Sequence, residues 1–242
     1  MELKNKVVLV TGGAIRVGRA IVDALVGAGA NVYCHYFQSV REAENLKKIY
    51  PQISLIKIDL SRQGNAQQLI SEVVSRAGTI DVLINNAAIF LRTPLGTVTE
   101  KTWDQLFDLN LKAGFFLAQQ AGQIMKDKGS GKIINIADTC GLRPWPSYIP
   151  YAISKGAVIS MTKGLAKALA PFVQVNSISP GPVLLPEDYG EADEKKAIEK
   201  TLLKSAGKAK DIAAAIRFLL EDGDYITGID LAVDGGRSLG EF

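Results

Sequence analysis

Tyr151 and Lys155 are the residues of this sequence whose types and spacing best suit proton chemistry. They begin a helical pattern, Tyr151-Ala152-Ile153-Ser154-Lys155, and four residues is about one helical turn, so phenol and ammonium share a face. A free phenol, with a pKa of about 10, exchanges protons poorly at neutral pH; a neighbouring cation stabilises the phenolate and lowers that value. A lone YxxxK is also a common solvated helix face, so the pair needs support from elsewhere.

That support begins at the other end of the chain. The apolar run Val7–Val10 leads into Thr11-Gly12-Gly13-Ala14-Ile15-Arg16-Val17-Gly18 and then into an amphipathic helix. Glycines permit a tight turn and let backbone amides approach a pyrophosphate at the positive end of a helix dipole. Such a turn also joins strands and helices that bind nothing, but in the first strand-to-helix position it indicates a nucleotide. An NAD site carries Asp or Glu about 20 residues beyond the glycines, to accept the ribose 2′-OH. Here the second strand ends His35-Tyr36-Phe37-Gln38-Ser39, without a carboxylate. A 2′-phosphate would meet no repulsion there, and His35, Gln38, Ser39 and the nearby Arg16, Arg19 or Arg41 can contact it. NADP(H) is therefore the expected cofactor. Ser39 can equally be a helix N-cap, since Glu42 follows at capping-box spacing. His35 reads equally well as an ordinary strand residue. Asp59, closing the third strand beside Leu60, fits an adenine-binding carboxylate or a cap for the next helix.

The elements that must hold these groups alternate along the whole chain. Strands are expected at Val7–Val10, Asn31–Tyr36, Ser54–Ile58, Val82–Asn85, Lys132–Ala137, Val173–Ile178 and Ile229–Val233, mostly as continuous apolar runs suited to parallel strands covered on both faces. Helical patterns lie between them near 17–28, 39–49, 63–77, 99–127, 151–170 and 209–221. This alternation predicts a single-domain, doubly wound α/β Rossmann fold over residues 1–242, with a seven-stranded parallel sheet. No linker, composition shift or repeat divides the chain. One segment breaks the rhythm: near 182–208, after Pro180-Gly181-Pro182, a charged helical stretch from Glu191 to Lys204 is expected to form a lid over a substrate, with a surface excursion as the alternative. The stretch 103–119 is apolar on more than one face, which suits either a subunit interface or an enclosed helix. A homotetramer, or a homodimer, is expected.

Composition excludes several other classes. The net charge of +3 is spread without a dense basic run, so nucleic acid is not an expected partner. The first apolar run is too short for a signal peptide core, and no stretch reaches the roughly 18 apolar residues of a membrane span. With 1 histidine and 2 distant cysteines, Cys34 and Cys140, no zinc-type ligand set can be assembled. A cytoplasmic protein without a metal, acting on a small molecule, is expected.

Several further motifs occur in order: Asn85-Asn86-Ala87-Ala88, Asn110, Pro180-Gly181 and Val233-Asp234-Gly235-Gly236. With the glycine turn and YxxxK, the chain resembles the short-chain dehydrogenase/reductase family over essentially its whole length: TGxxxGxG, NNAG, the catalytic asparagine, YxxxK, PG and VDGG. The resemblance implies that Tyr151 is the acid/base, that Lys155 holds the nicotinamide ribose and tunes the tyrosine, and that Asn110 supports a proton-relaying water. Asn86 and Ala87 would line the cofactor groove. The implied cofactor site is then Gly12, Arg16, Val17, Gly18, His35, Tyr36, Ser39, Asp59, Leu60, Asn86, Ala87, Tyr151, Lys155, Pro180 and Gly181.

The sequence departs from the family pattern in three places. The family's catalytic serine, thirteen residues before the tyrosine, is Asp138; the middle fingerprint glycine is Arg16; and the threonine after the PG turn is missing from Pro182-Val183-Leu184-Leu185. The first two changes resemble the pteridine reductase and dihydromonapterin reductase subgroup, which also carries an aromatic residue after NNA, here Phe90, and a His-Tyr-x-x-Ser-like end to the second strand. By that resemblance Phe90 stacks on a planar substrate ring, though core packing explains it equally well, and Arg16, Asp138 and Tyr151 contact the substrate. The expected reaction is hydride transfer from NADPH to a C=N bond of a dihydropteridine. The alternatives are a carbonyl reductase such as a 3-oxoacyl-(acyl-carrier-protein) reductase, and a catalytically silent NADP(H) sensor, which would not need Tyr151, Lys155 and Asn110 together.

Overall fold

The computed structural model describes residues 1–184 and 190–240. Seven strands form one parallel sheet: β1 (Val7–Val10), β2 (Asn31–Tyr36), β3 (Ser54–Lys57), β4 (Val82–Asn85), β5 (Gly131–Ile136), β6 (Val173–Pro180) and β7 (Asp230–Val233). Their order is β3-β2-β1-β4-β5-β6-β7, so the winding reverses between β1 and β4, where such sheets open a crevice at their carboxyl ends. The single doubly wound domain with seven parallel strands is as the sequence predicts; β6 runs two residues further than expected.

Strand side chains alternate between two cores, as the two-residue period demands. Val7, Leu9, Leu83 and Ile133 pack with α3 (Asn65–Ala77), α5 (Gly114–Lys128) and α6 (Ile149–Leu169). Val8, Val10, Val82 and Ile134 face the other way, against α1 (Arg16–Gly27), α2 (Val40–Ile49) and α8 (Ala209–Glu221). Burial of strand residues on both faces explains why these runs lack polar alternation.

Two expectations are corrected. The helix expected near 99–127 runs from Glu100 to Lys128 but is not a regular α-helix throughout: α4 (Glu100–Phe107) passes into a π-turn, Asp108–Ala113, and on into α5. The cause is Asn110, whose carboxamide accepts from the Ile89 N–H at 2.8 Å and donates to the Ile89 carbonyl at 3.0 Å, pinning the loop after β4 into the helix. The charged helix expected from Glu191 to Lys204 ends sooner, as α7 (Glu191–Glu199). Of the lid segment, residues 185–189 lie outside the described residues. No helix among the described residues is long and apolar enough to cross a membrane.

Candidate active site

The glycine turn is built around a buried histidine. Gly12 N–H donates to His35 Nδ1 at 3.1 Å, which fixes the proton on Nε2, and Nε2–H donates to the Ile58 carbonyl at 3.0 Å. Both ring nitrogens are engaged and the residue is 3% exposed, so His35 braces the turn from below instead of reaching a 2′-phosphate. Burial lowers its pKa from 6.5 to about 4, overriding the Ile58 carbonyl and the nearby Asp59. The fold favours the neutral ring and protonation favours unfolding. Stability is therefore expected to fall as pH drops from about 6.5 to about 4, by up to about 1.4 kcal/mol per pH unit. Urea unfolding across that range checks this, with His35→Gln expected to lose part of the slope; an identical slope in the variant would remove His35 as its cause.

Asn86 holds the turn from the other side. Its Nδ2 donates to the carbonyls of Thr11 (2.9 Å) and Gly12 (3.0 Å), while the Thr11 hydroxyl accepts from the N–H groups of Asn86 and Ala87. A Cβ on Gly18 would stand 2.0 Å from the Gly12 carbonyl oxygen, so only glycine closes this turn. Arg16, at the position of the family's middle glycine, sits in the left-handed region with φ +53°. Its guanidinium donates to the Leu184 carbonyl at 2.6 Å. Helix α1 starts with no side-chain cap and no acidic residue in its first turn, so its leading N–H groups suit an anion. Val17 belongs to that first turn and packs against the core.

The adenosine end differs from the sequence reading in one detail. Ser39 gives α2 no side-chain cap, because its ψ of 58° departs from the extended geometry a capping box requires. Tyr36 closes β2, its carbonyl accepting from Ile58. The Asp59 carboxylate accepts from the Ser61 hydroxyl (2.6 Å), the Ser61 N–H (3.1 Å) and Arg62 (3.4 Å), which is the turn-capping role.

Beyond the turn, Thr11, Leu60, Asn85, Ala87, Asn110, Ile136 and Lys155 line a cleft over the carboxyl ends of the strands. Pro180 ends β6, and Gly181 meets β7 so closely that a Cβ would lie 2.6 Å from Asp234 Cα. The glycine cradle, the uncapped helix and the absence of a carboxylate at the end of β2 together fit a phosphorylated dinucleotide lying across the sheet.

Tyr151 and Lys155 lie in the first two turns of α6, with 5% and 3% exposure, and Lys155 lines the cleft. The Tyr151 hydroxyl donates to Asp138 Oδ2 at 2.8 Å, and Asp138 Oδ1 accepts from the Cys140 N–H at 2.7 Å. Asp138 therefore both caps the short turn after β5 and meets the tyrosine. Lys155 Nζ donates to the Ile136 carbonyl at 2.8 Å and stands 5.8 Å from the Tyr151 ring centroid.

The proton affinities differ from those expected. Burial, reinforced by Asp138, raises the Tyr151 pKa well above its usual range instead of lowering it. Burial raises Asp138 as well, against the Cys140 N–H, the Tyr151 hydroxyl and the cations Lys155 and Arg237. Arg237, from the C-terminal turn, is an arginine whose charge acts on this carboxylate. Burial lowers Lys155 to about 8, opposed by Asp138. The phenol is thus held protonated, as a proton donor requires.

Besides the Ile89 carbonyl, Asn110 Nδ2 donates to the Ser154 hydroxyl at 3.3 Å, so both amide hydrogens are engaged while Oδ1 keeps a second lone pair. Asn85 Oδ1 is buried without a partner and its residue borders the same cleft as Lys155, so a water in that cleft would satisfy it. Phe90 stacks on Tyr148 (4.5 Å, 15°) and meets Tyr151 edge-on (4.7 Å, 89°), with Trp145 beyond it at 6.4 Å. Sequence reasoning missed Trp145, Tyr148 and Arg237. The aromatic pair just before Tyr151 and the arginine following the VDGG motif were the available signals.

A family model described as Enoyl-(Acyl carrier protein) reductase matches residues 13–238. The 3-oxoacyl-(acyl-carrier-protein) reductase FabG of Thermotoga maritima is 33% identical over 247 residues, covering 98% of this chain and 99% of that protein. Among solved structures, FolM alternative dihydrofolate reductase 1 from Brucella canis, complexed with NADP, superimposes with a TM-score of 0.93 at 31% identity, over 100% of this chain and 97% of that one. A blue fluorescent protein from a metagenomic library, in complex with NADPH, gives 0.91 at 34% identity, over 98% and 99%. The chain belongs to the short-chain dehydrogenase/reductase family. It is an oxidoreductase of that type.

Proposed function

We propose that this protein uses NADPH to reduce a C=N bond of a dihydropteridine. The observation that carries the reading is the 2.8 Å hydrogen bond from the Tyr151 hydroxyl to Asp138, the residue standing where the family has a serine. NADPH, when bound, supplies the hydride. Lys155 and Tyr151 would hold its nicotinamide ribose, the turn from Gly12 to Gly18 its pyrophosphate, and Ser39 with Arg16 or Arg41 its 2′-phosphate. As hydride reaches the imine carbon, the ring nitrogen gains a proton from the Tyr151 hydroxyl, and Asp138 returns one to the phenolate. The raised proton affinity of Asp138 suits a carboxyl that carries protons. The carbonyl oxygen of that carboxyl would also accept from an N–H group of a pterin ring, which gives the substrate its orientation. Arg16 and Phe90 complete the substrate site, with Phe90 offering ring edge and face beside Tyr151. The segment 182–208 acts as the lid, and the protein works in the cytoplasm as a homotetramer or homodimer whose contacts include the half-exposed Trp103 and Phe115.

A second reading, reduction of a 3-oxoacyl thioester, is favoured by a specific pair of observations. The FabG of Thermotoga maritima is 33% identical, and a protonated Asp138 would donate to a developing alkoxide where an ionised one would oppose it. NADPH oxidation assayed with dihydrobiopterin against an acetoacetyl thioester separates the two. Turnover of dihydrobiopterin is expected, with NADH at least ~10-fold poorer than NADPH. Turnover of the thioester alone would replace the pteridine reading by the second, and equal use of NADH would show that the end of β2 has been misread.

A further inference from the structure

Two arginines flank the C-terminal turn without a carboxylate partner among the described residues. Arg237 lies in a short turn whose shape is fixed by Asp234, which accepts from the N–H groups of Gly236 (2.8 Å) and Ser238 (2.7 Å). This sets its guanidinium 5.1 Å above the Trp145 ring, where its one hydrogen bond among the described residues runs to the Ala197 carbonyl of α7 at 2.9 Å. Arg143 stands two residues before Trp145 in sequence. Its guanidinium packs on the same turn, with Nη1 2.6 Å from where a Cβ on Gly240 would stand. A guanidinium carries five N–H donors, so most of the donor capacity of this pair is unused by the described residues. Two cations gathered on one turn also repel each other, and Asp138, the carboxylate whose charge Arg237 feels, is already held by the Tyr151 hydroxyl and the Cys140 N–H.

The location gives the arrangement a purpose. Trp145 meets Tyr148 edge-on at 5.8 Å, and Tyr148 stacks on Phe90, which meets Tyr151. The arginines therefore sit at the outer end of an aromatic row whose inner end is the proton donor. A substrate reduced beside Tyr151 and lying along that row would bring its far end to the guanidinium pair.

We propose that Arg143 and Arg237 form an anion subsite, and that the substrate carries a carboxylate or phosphate on a tail several bonds from the reduced bond. Planar, forked donors suit either group. The inference rests on the active-site reading above for the place where reduction occurs, but its test does not depend on which acceptor is reduced.

The test measures binding to the protein saturated with NADP+, using two ligand pairs. Folate and biopterin share a pterin ring, and only folate has a dicarboxylate tail. Acetoacetyl-coenzyme A and acetoacetyl-N-acetylcysteamine share a thioester, and only the first carries phosphates. In at least one pair the anionic member is expected to bind at least ~10-fold more tightly. In Arg143→Gln/Arg237→Gln that ratio falls towards one, while Arg143→Lys/Arg237→Lys keeps part of it; the exposed single variant Arg143→Gln shows the partial loss without risk to folding. The pair showing the effect tells carboxylate from phosphate. If only the thioester pair shows it, the pteridine reading fails while the subsite stands. Equal binding or no binding in both pairs, or a preference that survives the double glutamine variant, would overturn the proposal.

Discussion

Tyr151→Phe is expected to lower kcat by at least ~100-fold while leaving NADPH affinity nearly unchanged. The substitution removes one oxygen and keeps the ring that packs against Phe90 and Tyr148. Its immediate consequence is electrostatic: Asp138 Oδ2 loses the hydroxyl that donates to it at 2.8 Å, while the Cys140 N–H still holds Oδ1. On the proposed reading the cofactor is held chiefly by the glycine turn and Lys155, both of which remain. Single-turnover and steady-state rates with NADPH, set beside calorimetric NADPH affinity, check the two halves separately. Retention of most of the turnover would end the assignment of Tyr151 as proton donor.

Asp138→Ser is expected to cut activity on dihydropteridines by at least ~100-fold and to raise activity on simple ketones. Serine restores the family's hydroxyl, a neutral donor for a developing alkoxide, but cannot accept and return a proton as a carboxyl does. It also removes the negative charge that helps to raise the proton affinity of Tyr151, so the phenol of the variant should ionise more readily. The pH dependence of kcat/KM therefore separates a proton-carrying Asp138 from one that only caps its turn. In the first case the limb of the profile that reports the dyad moves with the substitution; in the second the profile keeps its shape and only its height changes. Unchanged pteridine turnover in the serine variant would leave the family assignment standing and remove the pteridine reading.

The parallel sheet was legible because its strands are buried on both faces, and runs such as Val7–Val10 and Val82–Asn85 therefore carry their own signal. Tyr151 and Lys155 were legible because one helical turn brings them to one face. The π-turn was not, since Asn110 is drawn out of register by the backbone of Ile89, a partner far away in sequence. Nor was the place of His35, whose ring partners lie on the glycine turn and at the end of β3. Arg237 meets Trp145 only through the return of the C-terminal segment to the site. The capping box at Ser39 failed for the opposite reason: its residues match, but the backbone there does not adopt the geometry that the pattern assumes.

The π-turn at Asp108–Ala113 also bears on how this stretch can change over time. A π-turn is in effect an α-helix holding one surplus residue, and each residue advances an α-helix by about 100°. Deleting a residue there would restore a regular helix and swing everything before it by that angle. Asn110 would leave the Ile89 backbone, and the stacked pair Trp103 and Phe107 would turn onto a different surface. Point changes in this stretch can be absorbed one at a time, whereas a single-codon insertion or deletion disturbs the loop after β4 and the outer face of α4 together. Relatives that share this architecture should therefore align without gaps here, even where little of the sequence is kept.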